Sequence, residues 1–390
     1  MKKALFILLA LLVASVGYNQ INLNKIKRGI NKGEEVLEKN EDKKEEEEKK
    51  EENTEEEKKE EVEKSEEASE EQALKIWTKF DFVPGNDLIF EDNQENEELG
   101  EFPSRWDLAQ GNAEMAKLND LDIIKLVSQG TSITPLMDKK EYLPEVFTIE
   151  FDIWASELMP SYKLYLYDMK QYKKDWRSVE TIDHISIGSD EVEMGDYSSE
   201  YDKLKPETWH HISVAFNKRS LKLYVNETRA LNIPNLEFVP KAFSVGTGAG
   251  YARDSDIWLF KNFRVAEGGK ALYNRQLSEG KIVTNGILFD VGKATIKPQS
   301  MGVINKIYNM MEEDPGLKFE VVGHTDNTGG EETNLDLSKK RAEAVMNKLV
   351  EMGISPDRLK YDGKGEAEPV KDNSSSEGRA MNRRVEFIKF

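Results

Sequence analysis

The stretch "GHTDNTG" at residues 323–329 sets a His, an Asp, an Asn and two Thr where a plain turn needs only two or three residues. The run before it, "LKFEVV", alternates apolar and polar residues as a half-buried strand does, and a long helix is predicted from residue 333 to 352. On that helix Asn334, Ser338 and Arg341 fall at i, i+4 and i+7, a polar stripe that begins beside the loop carrying Asp326. An acid and an arginine thus flank one pocket, with backbone N–H groups at the helix start pointing into it. Arg341 would grip a carboxylate through two parallel bonds and Asp326 would hold an ammonium. A ligand with both charges a few atoms apart is a free amino-acid terminus. The same spacing also fits a plain Asp326–Arg341 surface salt bridge, worth about 0–1 kcal/mol.

A second chemical constellation lies in "IEFDIWASE". Glycoside cleavage needs paired carboxylates, and three at alternate strand positions would share one face. Glu150 and Asp152 supply two, but Trp154 takes the third place and Glu157 falls on the opposite parity, so the set is incomplete. Trp154, with Trp176 and the tyrosines at 162, 165 and 167, is a candidate glycan-stacking surface; the alternative is that these rings fill a core. "GTGAG" at residues 246–250 is followed by a strand-like run and no Lys-Ser/Thr, so it reads as a turn and not a phosphate loop. The four histidines show no metal-ligand spacing and there is no cysteine, so no metal, cofactor or disulfide is expected. His210 and His211 would point to opposite faces of a strand. The absence of cysteine also excludes a lipidated N-terminal Cys.

The elements that hold these residues fall into five segments. Residues 1–19 carry Lys2 and Lys3 ahead of an apolar run of about thirteen, the pattern of a removed signal peptide. Residues 20–75 are a charged low-complexity spacer, either a solvated helix or a disordered tether. Residues 34–71 alone hold 21 acidic and 8 basic side chains, which places about –13 of the formal –19 there. No basic stripe offsets phosphate charge, so nucleic acid is not an expected partner. No later stretch reaches the roughly 18 apolar residues of a membrane helix, so no direct membrane span is expected.

Residues 76–273 read as strands: "FTIEFDIW" and "YKLYLY" alternate, and "WHHISVAFNKRSLKLYVN" is two strands joined at a polar turn. An all-β sandwich follows from that pattern. After a linker at 274–285, residues 286–390 give β-α-β-α-β plus a final strand, beginning with "GILFDVG", a two-layer α/β domain.

The sandwich resembles a laminin-G or concanavalin-like jelly roll in "TWHHISVAFN", "LKLYVNE" and "LFKNFRVAEGG". The C-terminal segment resembles the OmpA-like peptidoglycan-binding family in "LFDVGKATI", "GHTDNTG", "NLDLSKKRA" and "EGRAMNRRVEF", which cover nearly all of residues 286–390. That resemblance implies non-catalytic binding of peptidoglycan at the diaminopimelate of its stem peptides. It also implies that Asp326 and Arg341 contact the amine and carboxylate, with Asn334, Arg383 and Asp290 as further walls of the pocket. Arg379 and Arg384 read as structural or surface residues, and His324 as a loop-ordering residue.

The expectation is an exported, non-enzymatic periplasmic protein of a Gram-negative envelope, cell-wall associated at the outer membrane. It would tether outer envelope components and present the sandwich to an outer-membrane protein or a glycan. The alternative is a wall-localised module that binds or cleaves glycan.

Overall fold

Alternation at Phe147, Ile149, Phe151 and Ile153 sends four apolar side chains to one face of β6 (Val146–Ala155), and all four are buried. The chain is described here by a computed structural model over residues 80–157, 159–168, 184–248, 257–269 and 280–390. The signal peptide and charged spacer expected at 1–19 and 20–75, and Trp176, lie outside the described residues.

Strand β6 is central in an antiparallel sheet. On one side of it lie β11 (Thr208–Asn217), β12 (Ser220–Val225) and β13 (Thr228–Ile233); on the other lie β15 (Trp258–Glu267), β4 (Leu121–Leu126) and β3 (Ala113–Leu118). Strand β1 (Asp87–Asp92) also pairs with β15. The second sheet runs in the order β10 (Tyr197–Glu200), β9 (Glu191–Met194), β8 (His184–Ile187), β7 (Tyr162–Tyr167), β14 (Ala242–Thr247), β5 (Ser132–Pro135), β2 (Trp106–Gln110). Side chains from both sheets form one core, in which Phe151 and Phe263 stack at 5.3 Å and Trp106 meets Phe263 at 4.5 Å. Each ring removed from water there contributes roughly 1.5–3 kcal/mol. Gly246 and Thr247 end β14, so the start of "GTGAG" is strand and not turn.

The other face of β6 departs from simple alternation, because Thr148, Glu150 and Trp154 are buried too. The segment ahead of β1 lies over it, with the Gly85 N–H donating to Thr148 Oγ1 at 2.9 Å. Trp154 is 7% exposed and meets Trp209 edge-on at 5.4 Å, packed with Ile123 and Leu259. An outward stacking platform at Trp154 does not fit this packing, since its neighbours already cover the ring. Tyr162 is likewise fully buried, donating to the Trp154 carbonyl at 2.8 Å.

The α/β domain holds a four-stranded sheet ordered β16 (Lys281–Thr284), β19 (Val385–Lys389), β17 (Phe319–His324), β18 (Leu359–Gly365). Strands β17 and β18 run parallel and the other pairs antiparallel. Helices α1 (Met301–Glu313) and α2 (Glu331–Glu351) cross over between strands, and a short helix α3 (Ser376–Asn382) precedes β19. The first strand is therefore in the expected linker, while "GILFDVG" contributes only a bridge between Phe289 and Ile296. The reason is pairing: β19 offers an edge that 281–284 fills in register, Lys281 opposite Ile388 and Thr284 opposite Val385.

The two regions share apolar contacts as well. Phe80, Phe82, Val83 and Tyr224 belong to the core built on Val303, Ile304, Ile307, Val345 and Phe387. Helix α1 comes so close to the chain there that a Cβ on Gly302 would collide with the Phe82 carbonyl oxygen. Polar bridges reinforce the contact: Asn86 Nδ2 donates to the Val283 carbonyl at 2.6 Å, Arg379 pairs with Glu95 at 2.9 Å, and Arg105 pairs with Glu377.

Candidate binding site

The loop after β17 is shaped by its own polar residues. The Thr328 N–H donates to Asp326 Oδ1 at 2.9 Å, a local turn that Asp forms readily. Gly329 sits at φ +103°, a conformation that favours glycine. The His324 and Thr325 N–H groups donate to the carbonyls of Arg384 (3.0 Å) and Gly365 (2.9 Å), fixing the loop root to both neighbouring strands. His324 thus orders the loop through its backbone. Its ring is buried 3.7 Å from Glu386 Oε1 and makes no hydrogen bond among the described residues.

Helix α2 lies close against β17 and β18 because glycines face it. A Cβ at Gly323 or Gly363 would strike backbone atoms of Ser338 or Lys339. Ser338 is fully buried and its Oγ accepts from the Gly365 N–H at 2.9 Å. Ala342, Val345 and Leu349 are buried on the face of the helix turned to the core, while Met346 is only partly buried.

Asp326, Arg341 and Arg383 come together, but in a different pairing from a plain Asp326–Arg341 bridge. Arg383 Nη1 donates to Asp326 Oδ2 at 2.7 Å. Burial raises the Asp326 pKa, but the Arg383 guanidinium and the Thr328 N–H outweigh it and hold the carboxyl below its ordinary value. Arg341 stacks over Phe289 at 5.0 Å and donates from Nε to the Lys293 carbonyl at 3.0 Å and from Nη2 to the Asp290 carbonyl at 3.4 Å. It has no carboxylate partner among the described residues. Burial and the nearby Arg383 charge lower its pKa, with Asp326 opposing. Asp290 therefore meets the site through its carbonyl. Asn334 is 4% exposed and turns to the Asp326 carbonyl (3.4 Å) and to Glu366, bracing the loop.

A pocket of about 140 Å³ opens beside these groups, lined among others by Phe289, Arg341, Arg383 and Glu91. Asp326 and Asn334 are not part of its wall. Glu91 was missed from the sequence: it comes from β1 of the sheet region, 292 residues from Arg383, whose Nη2 it meets at 3.3 Å. Arg379 and Arg384 are structural, pairing with Glu95 (2.9 Å) and Glu386 (2.8 Å).

Residues 288–383, which hold most of the α/β fold and this loop–helix site, match the OmpA family. The chain is 38% identical over 103 residues to the Probable lipoprotein YiaD of Escherichia coli K12, covering 26% of this chain and 47% of that protein. It is 42% identical over 100 residues to Outer membrane porin F of Pseudomonas fluorescens, covering 26% and 31%. It is 36% identical over 107 residues to Peptidoglycan-binding protein ArfA of Mycobacterium tuberculosis, covering 27% and 33%. The chain thus spans less than half the length of each of these curated relatives. No helix among the described residues is long and apolar enough to cross a membrane.

Proposed function

We propose that this is a non-catalytic envelope protein that binds peptidoglycan non-covalently through its C-terminal domain, at the diaminopimelate of the stem peptide. The observation that carries the reading is Arg341, a half-buried guanidinium held by two carbonyls and stacked on Phe289, without a carboxylate of its own among the described residues. It takes the ligand's carboxylate, and the acidic side of the site takes the ammonium. The similarity to a relative named as peptidoglycan-binding supports the substrate class.

The two-sheet region, which we read as a concanavalin-like jelly roll, is presented to an outer-membrane protein or glycan. The whole chain, exported to the periplasm behind residues 1–19, ties outer envelope components to the wall. Cleavage of glycan by Glu150 and Asp152 is disfavoured, because Arg264 and His211 already hold those carboxylates.

The test is co-sedimentation of the full chain with purified diaminopimelate-containing sacculi. Arg341→Ala and Asp326→Ala are expected to abolish it while thermal unfolding stays cooperative, since stripping one partner from a desolvated charge pair costs about 2–5 kcal/mol. Undiminished binding by both variants would sink the proposal.

A further inference from the structure

We propose that Glu91, supplied by the sheet region, is a further carboxylate for the ligand's ammonium group beside Asp326, so that two regions of the chain share the pocket for an amino-acid head. This rests on the peptidoglycan reading above and assigns a role within that same site.

Asp326 already accepts at both oxygens, Oδ1 from the Thr328 N–H and Oδ2 from Arg383, and keeps one further lone pair on each. Glu91 differs. Its Oε1 meets Arg383 Nη2 at 3.3 Å, while Oε2 is buried with no hydrogen-bond partner among the described residues, and the residue lines the pocket. A buried acceptor left unpaired is costly, and an incoming N–H donor would recover that cost. Arg341 lies in the wall of the same pocket. Two other lining arginines carry their own partners, Arg264 on Glu150 and Arg384 on Glu386. What remains is Arg341 and Arg383 against Asp326 and Glu91, a formally neutral set that suits a zwitterion. The pocket has room for on the order of ten water-sized groups, enough for an amino-acid head.

Burial pushes the Glu91 carboxyl up to about 7, against the pull of Arg383 on the turn before β19 and Arg264 on β15. Glu377 on α3 and Glu95 beyond β1 push the same way as burial. An ammonium favours the ionised carboxylate, so affinity for an amino-acid head should rise as pH climbs through about 7.

The experiment is calorimetric titration of the full chain with meso-diaminopimelate and with pimelate, which keeps the carboxylates and lacks the amines. Wild type is expected to prefer diaminopimelate. Glu91→Gln should lose about tenfold in affinity for it, lose most of the preference over pimelate, and lose the rise in affinity between pH 6 and 8. Glu95→Gln breaks another bridge between the two regions without touching the pocket wall, and should bind as wild type does.

Equal or tighter binding of diaminopimelate by Glu91→Gln would make Glu91 only a counter-ion of Arg383 and overturn the proposal. An equal loss in Glu95→Gln would overturn it too, by tracing the effect to loosened packing. Failure of wild type to bind either diaminopimelate or sacculi would remove the peptidoglycan reading itself, and this assignment with it.

Discussion

On the outer face of β6, Glu150, Asp152, His211 and Arg264 close on one another, whereas Glu91, Asp326, Arg341 and Arg383 leave two groups open. In the first cluster His211 Nδ1 lies 2.7 Å from Asp152 and Nε2 lies 3.6 Å from Glu150, an ion-pair distance. Arg264 donates to Glu150 at 2.9 Å and to the Gly85 carbonyl at 2.7 Å, and Asn262 donates to Asp152 at 2.7 Å. Each charge faces an opposite one, and Arg264, which also reaches the wall of the neighbouring pocket, is held there by Glu150. In the second cluster Arg341 lacks a carboxylate among the described residues and Glu91 Oε2 lacks a donor, and both lie on a pocket. Buried charge that is fully paired serves the fold. Charge left half-paired at a cavity is fitted for a ligand.

The comparison breaks most sharply at His211. Removing one member of a buried pair leaves the other charge stranded, at about 3–5 kcal/mol. His211→Ala should therefore lower the thermal midpoint by that much in stability while the folded protein still binds sacculi. Arg341→Ala should do the reverse, losing binding for a stability change of about 1 kcal/mol or less. A His211 variant that stays as stable as wild type would mean the first cluster is not closed after all.

Acid–base behaviour separates the clusters next. Burial lowers the His211 pKa, but the bonds to Asp152 and Glu150 outweigh it and raise it from 6.5 to about 9. A raised folded pKa gives stability that is complete below 6.5 and lost as pH rises through about 9, on the order of 3 kcal/mol. Glu91, raised from 4.5 to about 7, loses its contribution in a lower window, as pH climbs from 4.5 through 7. Unfolding midpoints measured from pH 4.5 to 9 should show both declines. Glu91→Gln should flatten only the lower and His211→Ala only the upper. A single variant that removes both would show that the clusters titrate together through Arg264.

How far each cluster was legible follows from how its residues are encoded. Asp326 and Arg341 sit in a strand–loop–helix read from periodicity and a polar stripe, so a local pattern carried them. Glu91 gave no such signal: it occupies an ordinary position in "DLIFED", and only the pairing of β1 with β15 carries it to Arg383. Strand β16 escaped notice because four residues pairing on an edge look like a linker until β19 is in place. The two readings of Trp154, stacking surface or core, stay open in the sequence for a related reason. Alternation marks two faces of a strand but does not say that Trp209 and Leu259 cover the second one.

The smallest test concerns the floor of the open site. Ser338 Oγ accepts from the Gly365 N–H at 2.9 Å, and the Gly365 carbonyl accepts from Thr325, one residue ahead of Asp326. Ser338→Ala removes the acceptor and leaves a buried N–H unpaired, at about 1–3 kcal/mol. The Cβ stays, so helix and strand should keep their spacing and only the anchor of the loop root should weaken. If the loop merely displays Asp326, stability should fall while sacculus binding holds. If the Asp326–Arg383 geometry depends on that root, binding should weaken severalfold as well. The open site would then need a rigid scaffold beneath it, as the closed cluster needs none beyond its own pairs.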